Sequence, residues 1–244
     1  MSATVEARTV AGLPEIQVGD DLAALVAERG ELRAGDVLVL AHKVVSKAEG
    51  ALRALAAVVP GERARALATL LGKDPRHVQV VLDESAAVLR AERGVLICRT
   101  RHGFVCANAG VDASNAPAGW LVTLPRDPDA SARALRAALP ARPAVVIADS
   151  FGRAWRHGQC DVAVGVAGLA PLADWRGRRD SMGRELRATW IAIADEAAAA
   201  ADLARDKASR EPAVVVRGLE RYVTPEDGPG AAALVRPMSD DLFG

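Results

Sequence analysis

Two short segments carry side chains that could act together chemically. In Asp149-Ser150-Phe151-Gly152-Arg153-Ala154-Trp155-Arg156-His157-Gly158-Gln159, an acid closes the apolar run Pro143 to Ala148. The carboxyl end of a strand is a common place for functional groups in mixed sheets. Arg153 and Arg156 follow it and offer planar, bidentate recognition of phosphate or carboxylate. In Asn108-Ala109-Gly110-Val111-Asp112-Ala113-Ser114-Asn115, almost nothing is bulky. Such backbone lets a ligand come close, and Asp, Ser and Asn supply oxygen ligands and hydrogen-bond partners. Asp112 and Asp149, with the Ser150 hydroxyl beside the second, are hard oxygen donors suited to Mg²⁺ or Mn²⁺ with a polyphosphate. The arginines would stabilise charge on a transferring phosphoryl group. Plainer readings stand beside these: a surface turn for the first acid, and a capped turn with a solvated basic face for the second. Spacing leaves open whether Asp112 and Asp149 converge. Lys47, in His42-Lys43-Val44-Val45-Ser46-Lys47, reads as a phosphate contact or as an ordinary surface charge.

Other chemistries find no support. The sequence has no GxxxxGK[ST], no GxGxxG after a strand, and no GxSxG, HExxH or kinase signature. Four histidines do not suggest a His-rich zinc site. Cys98, Cys106 and Cys160 form no CxxC pair, and a sparse, odd count argues for a reducing compartment over a disulfide framework. Lys plus Arg and Asp plus Glu both number 31, so no global charge draws the chain to nucleic acid or anionic membrane. The N-terminus lacks a signal-peptide pattern, and no apolar run approaches the ~18 residues of a membrane helix. A cytoplasmic protein is the expectation.

The elements that must position these residues are strands and helices mixed without a regular βαβ period, so the expected fold class is α+β. Strands are expected at Thr4 to Val10, Asp36 to Leu40, Val78 to Leu82, Pro143 to Ala148, Asp161 to Val166, Leu169 to Trp175 and Pro212 to Arg217. Gly94 to Thr100 and Phe104 to Cys106 read as a hairpin turned at Arg101-His102-Gly103. Helices are expected from Asp20 or Asp21 to Glu28, from Glu62 to Leu71, from Asp129 to Leu139 and, longest, from Arg184 to Arg205. The last would place Leu186, Trp190, Ile193, Ala197 and Ala201 on one stripe. Length suits a single domain over residues 1–244, with a core of about 12–220 and a Gly/Pro-rich tail, 221–244, that resembles a linker.

Taken in order, the motifs resemble the coenzyme F420-0:L-glutamate ligase family, also called F420-0:gamma-glutamyl ligase. The resemblance runs through Gly12-Leu13-Pro14-Glu15, Gly35-Asp36-Val37, Lys43-Val44-Val45-Ser46-Lys47-Ala48-Glu49-Gly50, the Asn108–Asn115 segment, Leu124 to Ala132, Asp149 to Arg156 with Gly158-Gln159, Ala194-Asp195-Glu196-Ala197, and Val214 to Gly218. It implies a GTP- and divalent-metal-dependent enzyme, using Mn²⁺ or Mg²⁺. Such an enzyme attaches one or more L-glutamates to F420-0, the later ones γ-linked. It also implies a family-specific α+β fold of intertwined subdomains and a homodimer. By position, Leu13, Pro14, Glu15, Ile16, Lys47 and Asn115 resemble GTP contacts, as does His42, where Ser, Thr or Gln is common. Asp112 and Asp149 resemble ligands of one metal ion. Ser150, where Thr is usual, resembles a ligand of a second ion.

There are departures. His157 replaces a common Asn, and Cys160 a common Thr. The stretch Arg205 to Ser209 lacks the glycines that join nucleotide binding in archaeal relatives, which leaves Lys207 as the nearest candidate. Two other functions compete: an amide ligase for a different carboxylate acceptor, and a non-catalytic module that binds nucleotide or F420.

Overall fold

The computed structural model describes residues 4–206 and 208–240. Its elements in chain order are β1 (Glu6–Thr9), α1 (Leu22–Arg29), β2 (Val37–Ala41), α2 (His42–Ala48), β3 (Leu52–Ala54), α3 (Glu62–Leu71), α4 (Pro75–Asp83), β4 (Ser85–Glu92), β5 (Val95–Thr100), β6 (Val105–Ala107), β7 (Trp120–Val122), α5 (Pro128–Ala138), β8 (Ala144–Arg153), β9 (Arg156–Ala167), β10 (Ala173–Asp174), β11 (Trp190–Ile191), α6 (Ile193–Ala204) and β12 (Ala213–Arg217). Short 3₁₀ turns join several of them. This is an α+β fold.

The central sheet has the order β1-β12-β2-β8-β9. Only β2 and β8 pair parallel within it. Strand pleating sorts its residues onto two faces. Leu38, Leu40, Val145, Ile147 and Val215 pack with Val26 of α1, Val44 and Val45 of α2, and Ala132 of α5. Val37, Val39, Ala144, Val146, Ala148, Val214 and Val216 pack with Ile193, Ala194, Ala197, Ala198 and Ala201 of α6. Covered on both faces, the central strands read as unbroken apolar runs, which is why they are visible in sequence. The chain between β2 and β8 builds a third core of α3, α4 and β5, closed by Val111 and Leu121.

Several sequence expectations are corrected. Val78 to Leu82 lies in α4, not a strand: the Asp74 side chain accepts from Arg76 N, and Pro75 begins the helix. The long helix starts at Ile193, not Arg184. Before it, Asp180 Oδ1 accepts from the backbone N–H groups of Met182 and Arg184 and fixes a turn, and Trp190 pairs in β11. Only Ile193, Ala197 and Ala201 of the expected stripe are therefore helical. The polar segment from His42 is α2. β8 does not stop at Ala148 but carries Asp149 and Ser150 on to Arg153. Leu169 to Trp175 contributes only the two residues of β10 and a bridge from Leu169 to Val223.

The stretch after 221 is anchored. Arg136, 3% exposed, pairs with Asp227 at 2.6 Å and donates to the carbonyls of Thr224 and Pro225. Asp129 Oδ1 accepts from the N–H groups of both Val166 and Ala231. Among the described residues, no helix is long and apolar enough to cross a membrane.

Candidate functional site

The parallel pairing of β2 with β8 sets the site. Ala41 stands opposite Ala148, so the next residues of the two strands lie side by side, His42 turning into α2 and Asp149 continuing in β8. His42 is 2% exposed and opens α2. Its Nδ1 lies 3.3 Å from the hydroxyl of Ser46, one turn on, itself fully buried. Its Nε2 lies 3.4 Å from Asp149 Oδ1 but out of hydrogen-bond alignment, so this buried nitrogen is unpaired. Asp149 Oδ1 also accepts from the Ser150 N–H at 2.8 Å.

Asp112 reaches the same helix from another direction. The chain bends through Asn108 and Ala109 in left-handed conformation, and then Gly110 at φ 73°. A Cβ on Gly110 would come within 2.8 Å of Leu124, so only glycine fits. Asp112 then exchanges backbone hydrogen bonds with Val122, at 3.0 and 2.8 Å. Its carboxylate accepts from Lys43 Nζ at 2.5 Å and from the N–H and hydroxyl of Ser114. Lys43 also contacts the Ser114 hydroxyl. Burial pushes the Asp112 carboxyl up. The hydrogen bonds from Lys43 and Ser114, together with the Lys43 charge, outweigh that and bring it down to about 2. Neighbouring residues of α2 thus place both acids against one helix end: His42 stands beside Asp149, and Lys43 pairs with Asp112.

One turn after Lys43, α2 borders a cleft of about 330 Å³, lined by Glu15, Ile16, Val18, Lys47, Asn115 and Pro117 among others. Lys47, 8% exposed at its side chain, forms an ion pair there with the exposed Glu15. Asn115 holds φ 57°. Four residues read from the sequence as nucleotide contacts (Glu15, Ile16, Lys47 and Asn115) therefore share one cavity. Leu13 packs partly into the core instead, and Pro14 is exposed.

The model for F420-0:Gamma-glutamyl ligase matches residues 12–218. The chain belongs to the F420-0:gamma-glutamyl ligase family. Among its relatives is a protein of Methanopyrus kandleri named coenzyme F420:L-glutamate ligase, 47% identical over 94% of this chain and 93% of its own length. Proteins of the same name from Methanothermobacter thermautotrophicus and Halobacterium salinarum are 45% and 44% identical. The first alignment covers 96% of both chains, and the second 98% of this chain and 95% of the relative. As a member of the family, the chain is a ligase.

The site of this family member does not gather every residue read from the sequence. In β8, Val145 and Ile147 face α1 and α2, while Val146 and Ala148 face α6. Continuing that alternation, Asp149 lies on the α2 face and Ser150 on the opposite one. Ser150 Oγ indeed donates to Asp161 Oδ1, directly across β9, at 2.6 Å. Arg153 and Arg156 sit at the tip of the β8–β9 hairpin, about 13 Å along the strand from Asp149 at ~3.3 Å per residue. Arg153 there donates to the carbonyl of His157, tying down its own turn. Lys207 lies outside the described residues. Lys43 carries no role in the sequence reading, although it sits four residues before Lys47 and so on the same side of a helix.

A hard divalent ion fits Asp112 and Asp149. Asp112 is held anionic by Lys43, a flexible and partly exposed side chain that an ion could displace, and Asp149 faces an unpaired buried imidazole nitrogen. Among the described residues, no group of three or more His, Cys, Asp and Glu gathers as a closed metal cage. An open site of one or two carboxylates, completed by water and substrate phosphate, is the usual arrangement for Mg²⁺.

Proposed function

We propose that this chain uses GTP and a divalent ion, Mn²⁺ or Mg²⁺, to join L-glutamate to the deazaflavin precursor F420-0 in F420 biosynthesis, as a cytoplasmic homodimer. Later glutamates would be added through γ-linkages. One observation carries the reading. In a member of the F420-0:gamma-glutamyl ligase family, a single seven-residue helix links a cleft lined by Lys47 and Asn115 to the two acids Asp112 and Asp149. A non-catalytic binding module gives no reason for both acids to stand against the start of that helix.

The chemistry follows from amide bond formation, which water opposes and phosphoryl transfer can drive. The F420-0 carboxylate attacks the γ-phosphorus of GTP, giving an acyl phosphate and GDP. The glutamate amine then attacks the acyl carbon, and inorganic phosphate leaves as the amide forms. Lys47 would hold the phosphates as a point charge on the cleft wall. Ile16, 3% exposed, and Asn115 would seat the nucleoside. Asp112 and Asp149 would hold the ion, which would supply positive charge against that developing on the transferred group. His42 would hold Asp149 in place, because the Ser46 hydroxyl fixes its ring from the other side.

The test is mass spectrometry of F420 species after incubating the chain with F420-0, GTP, Mn²⁺ and glutamate. Glutamylated products and GDP should appear together, and Asp149→Asn should remove both while keeping the melting temperature. Product formation without GTP, or turnover by Asp149→Asn close to wild type, overturns the reading. Products from simpler carboxylic acids but not from F420-0 would point to another acceptor.

A further inference from the structure

The face of the sheet opposite the two acids holds a second polar cluster. Asp161 is 3% exposed. One of its oxygens accepts from the Ser150 hydroxyl, and the other pairs with the guanidinium of Arg205. Arg205 follows the last turn of α6, is 10% exposed at its side chain, and also donates to the carbonyl of Pro212 at 3.2 Å. A guanidinium stays charged at every working pH, so Asp161 has a permanent cationic partner.

A neutral hydroxyl is a poor ligand for a divalent ion without a carboxylate beside it. The carboxylate that the Ser150 hydroxyl contacts is Asp161, and Arg205 already pairs with it. An ion on Ser150 would also stand against the guanidinium, with like charges close together in a buried place. We infer that Arg205 supplies on this face the positive charge of a second metal ion, so that Ser150 binds no metal and the chain holds one divalent ion of its own, at Asp112 and Asp149. This rests on the metal reading proposed above for those two acids. In this arrangement Asp161 and Arg205 are positioning residues. They pin Ser150, and through it β8, to the end of α6.

The experiment counts ions directly, with Mn²⁺ alone as the probe, by the electron paramagnetic resonance signal of free Mn²⁺ during titration of the full chain. The wild type should bind one ion per chain, and Asp149→Asn should bind none. Ser150→Ala should leave number and affinity unchanged. Arg205→Met should gain a second ion, because Asp161 is then an unpaired carboxylate beside a hydroxyl. Arg205→Met/Asp161→Asn should return to one. If Arg205→Met does not fold, wild type and Ser150→Ala still decide. Two ions in the wild type, or an ion lost from Ser150→Ala, overturns the inference. So does a folded Arg205→Met that binds a single ion. A single ion untouched by Asp149→Asn, or none at all in the wild type, instead sinks the underlying metal reading and the inference with it.

Discussion

Lys47 and Glu15 face each other in the cleft, and their substitution should move nucleotide affinity in opposite directions. Glu15 is about two-thirds exposed at its side chain, so the pair is worth at most ~1 kcal/mol to the fold. Lys47→Met and Glu15→Gln should therefore keep melting temperatures near wild type. On the proposed function, Lys47 to phosphate would be a charge-assisted contact of roughly 1.5–3 kcal/mol, and removing it should raise the Kd for GTP about 10- to 150-fold. Glu15 does the reverse, because a phosphate must displace its carboxylate to reach the ammonium. Glu15→Gln returns up to ~1 kcal/mol to the nucleotide and should lower the Kd by about 2- to 5-fold. In the Lys47→Met background, Glu15→Gln should do much less, since nothing is left to compete for. Isothermal titration calorimetry with GTP and Mg²⁺ on the four proteins measures each value. An unchanged Kd in Lys47→Met would refute the cleft as the nucleotide site. Equal weakening by both single substitutions would show Glu15 to be a contact, not a competitor.

Two further outcomes test the scaffold. Arg136→Met strands the Asp227 carboxylate and two carbonyls. Breaking a buried pair costs about 3–5 kcal/mol, less here because Asp227 is 39% exposed. At about 2–4 °C per kcal/mol, the melting temperature should fall by roughly 4–15 °C, and a change under about 2 °C would show that the C-terminal anchor carries no stability. Cysteine labelling by a thiol reagent near pH 8 should modify Cys160 alone. Cys98 and Cys106 are buried, and burial next to the Asp149 charge pushes the Cys106 thiol up to about 12. The unfolded thiol ionises near 9, so the stability this group contributes is full below pH 9 and is lost as pH rises towards 12. Two or more fast-reacting thiols in the folded chain would contradict the packing of β5 against β6.

What could be read from the sequence follows what local pattern can encode. β2, β8 and β12 were legible because strands covered on both faces are unbroken apolar runs, and Asp149 was legible because it ends one. α4 was not, because Val78, Val80 and Val81 look like a strand until Asp74-Pro75 is weighed as a helix start. The sequence before α6 favours helix, while the Asp180 turn breaks the chain there. The placing of Asp112 and Asp149 against one helix was illegible, since it depends on Lys43 reaching across 69 residues and on the register of β2 with β8. The facing of Ser150 was open to alternation once β8 was known to run past Ala148. Its partners Asp161 and Arg205 lie 44 residues apart and gave no local signal.

The shortness of α2 has a consequence for how the protein tolerates change. Its seven residues carry the ties to Asp149, to Asp112 and to the cleft, and Val44 and Val45 bury the other side in the core. A methyl group gained or lost at either valine shifts the whole helix, since close-packed interiors pass displacement on instead of absorbing it. Drift at these two apolar positions therefore retunes three polar ones at once. On the proposed function, a redesigner wanting a different nucleotide or a different cation would have one dial here, not two.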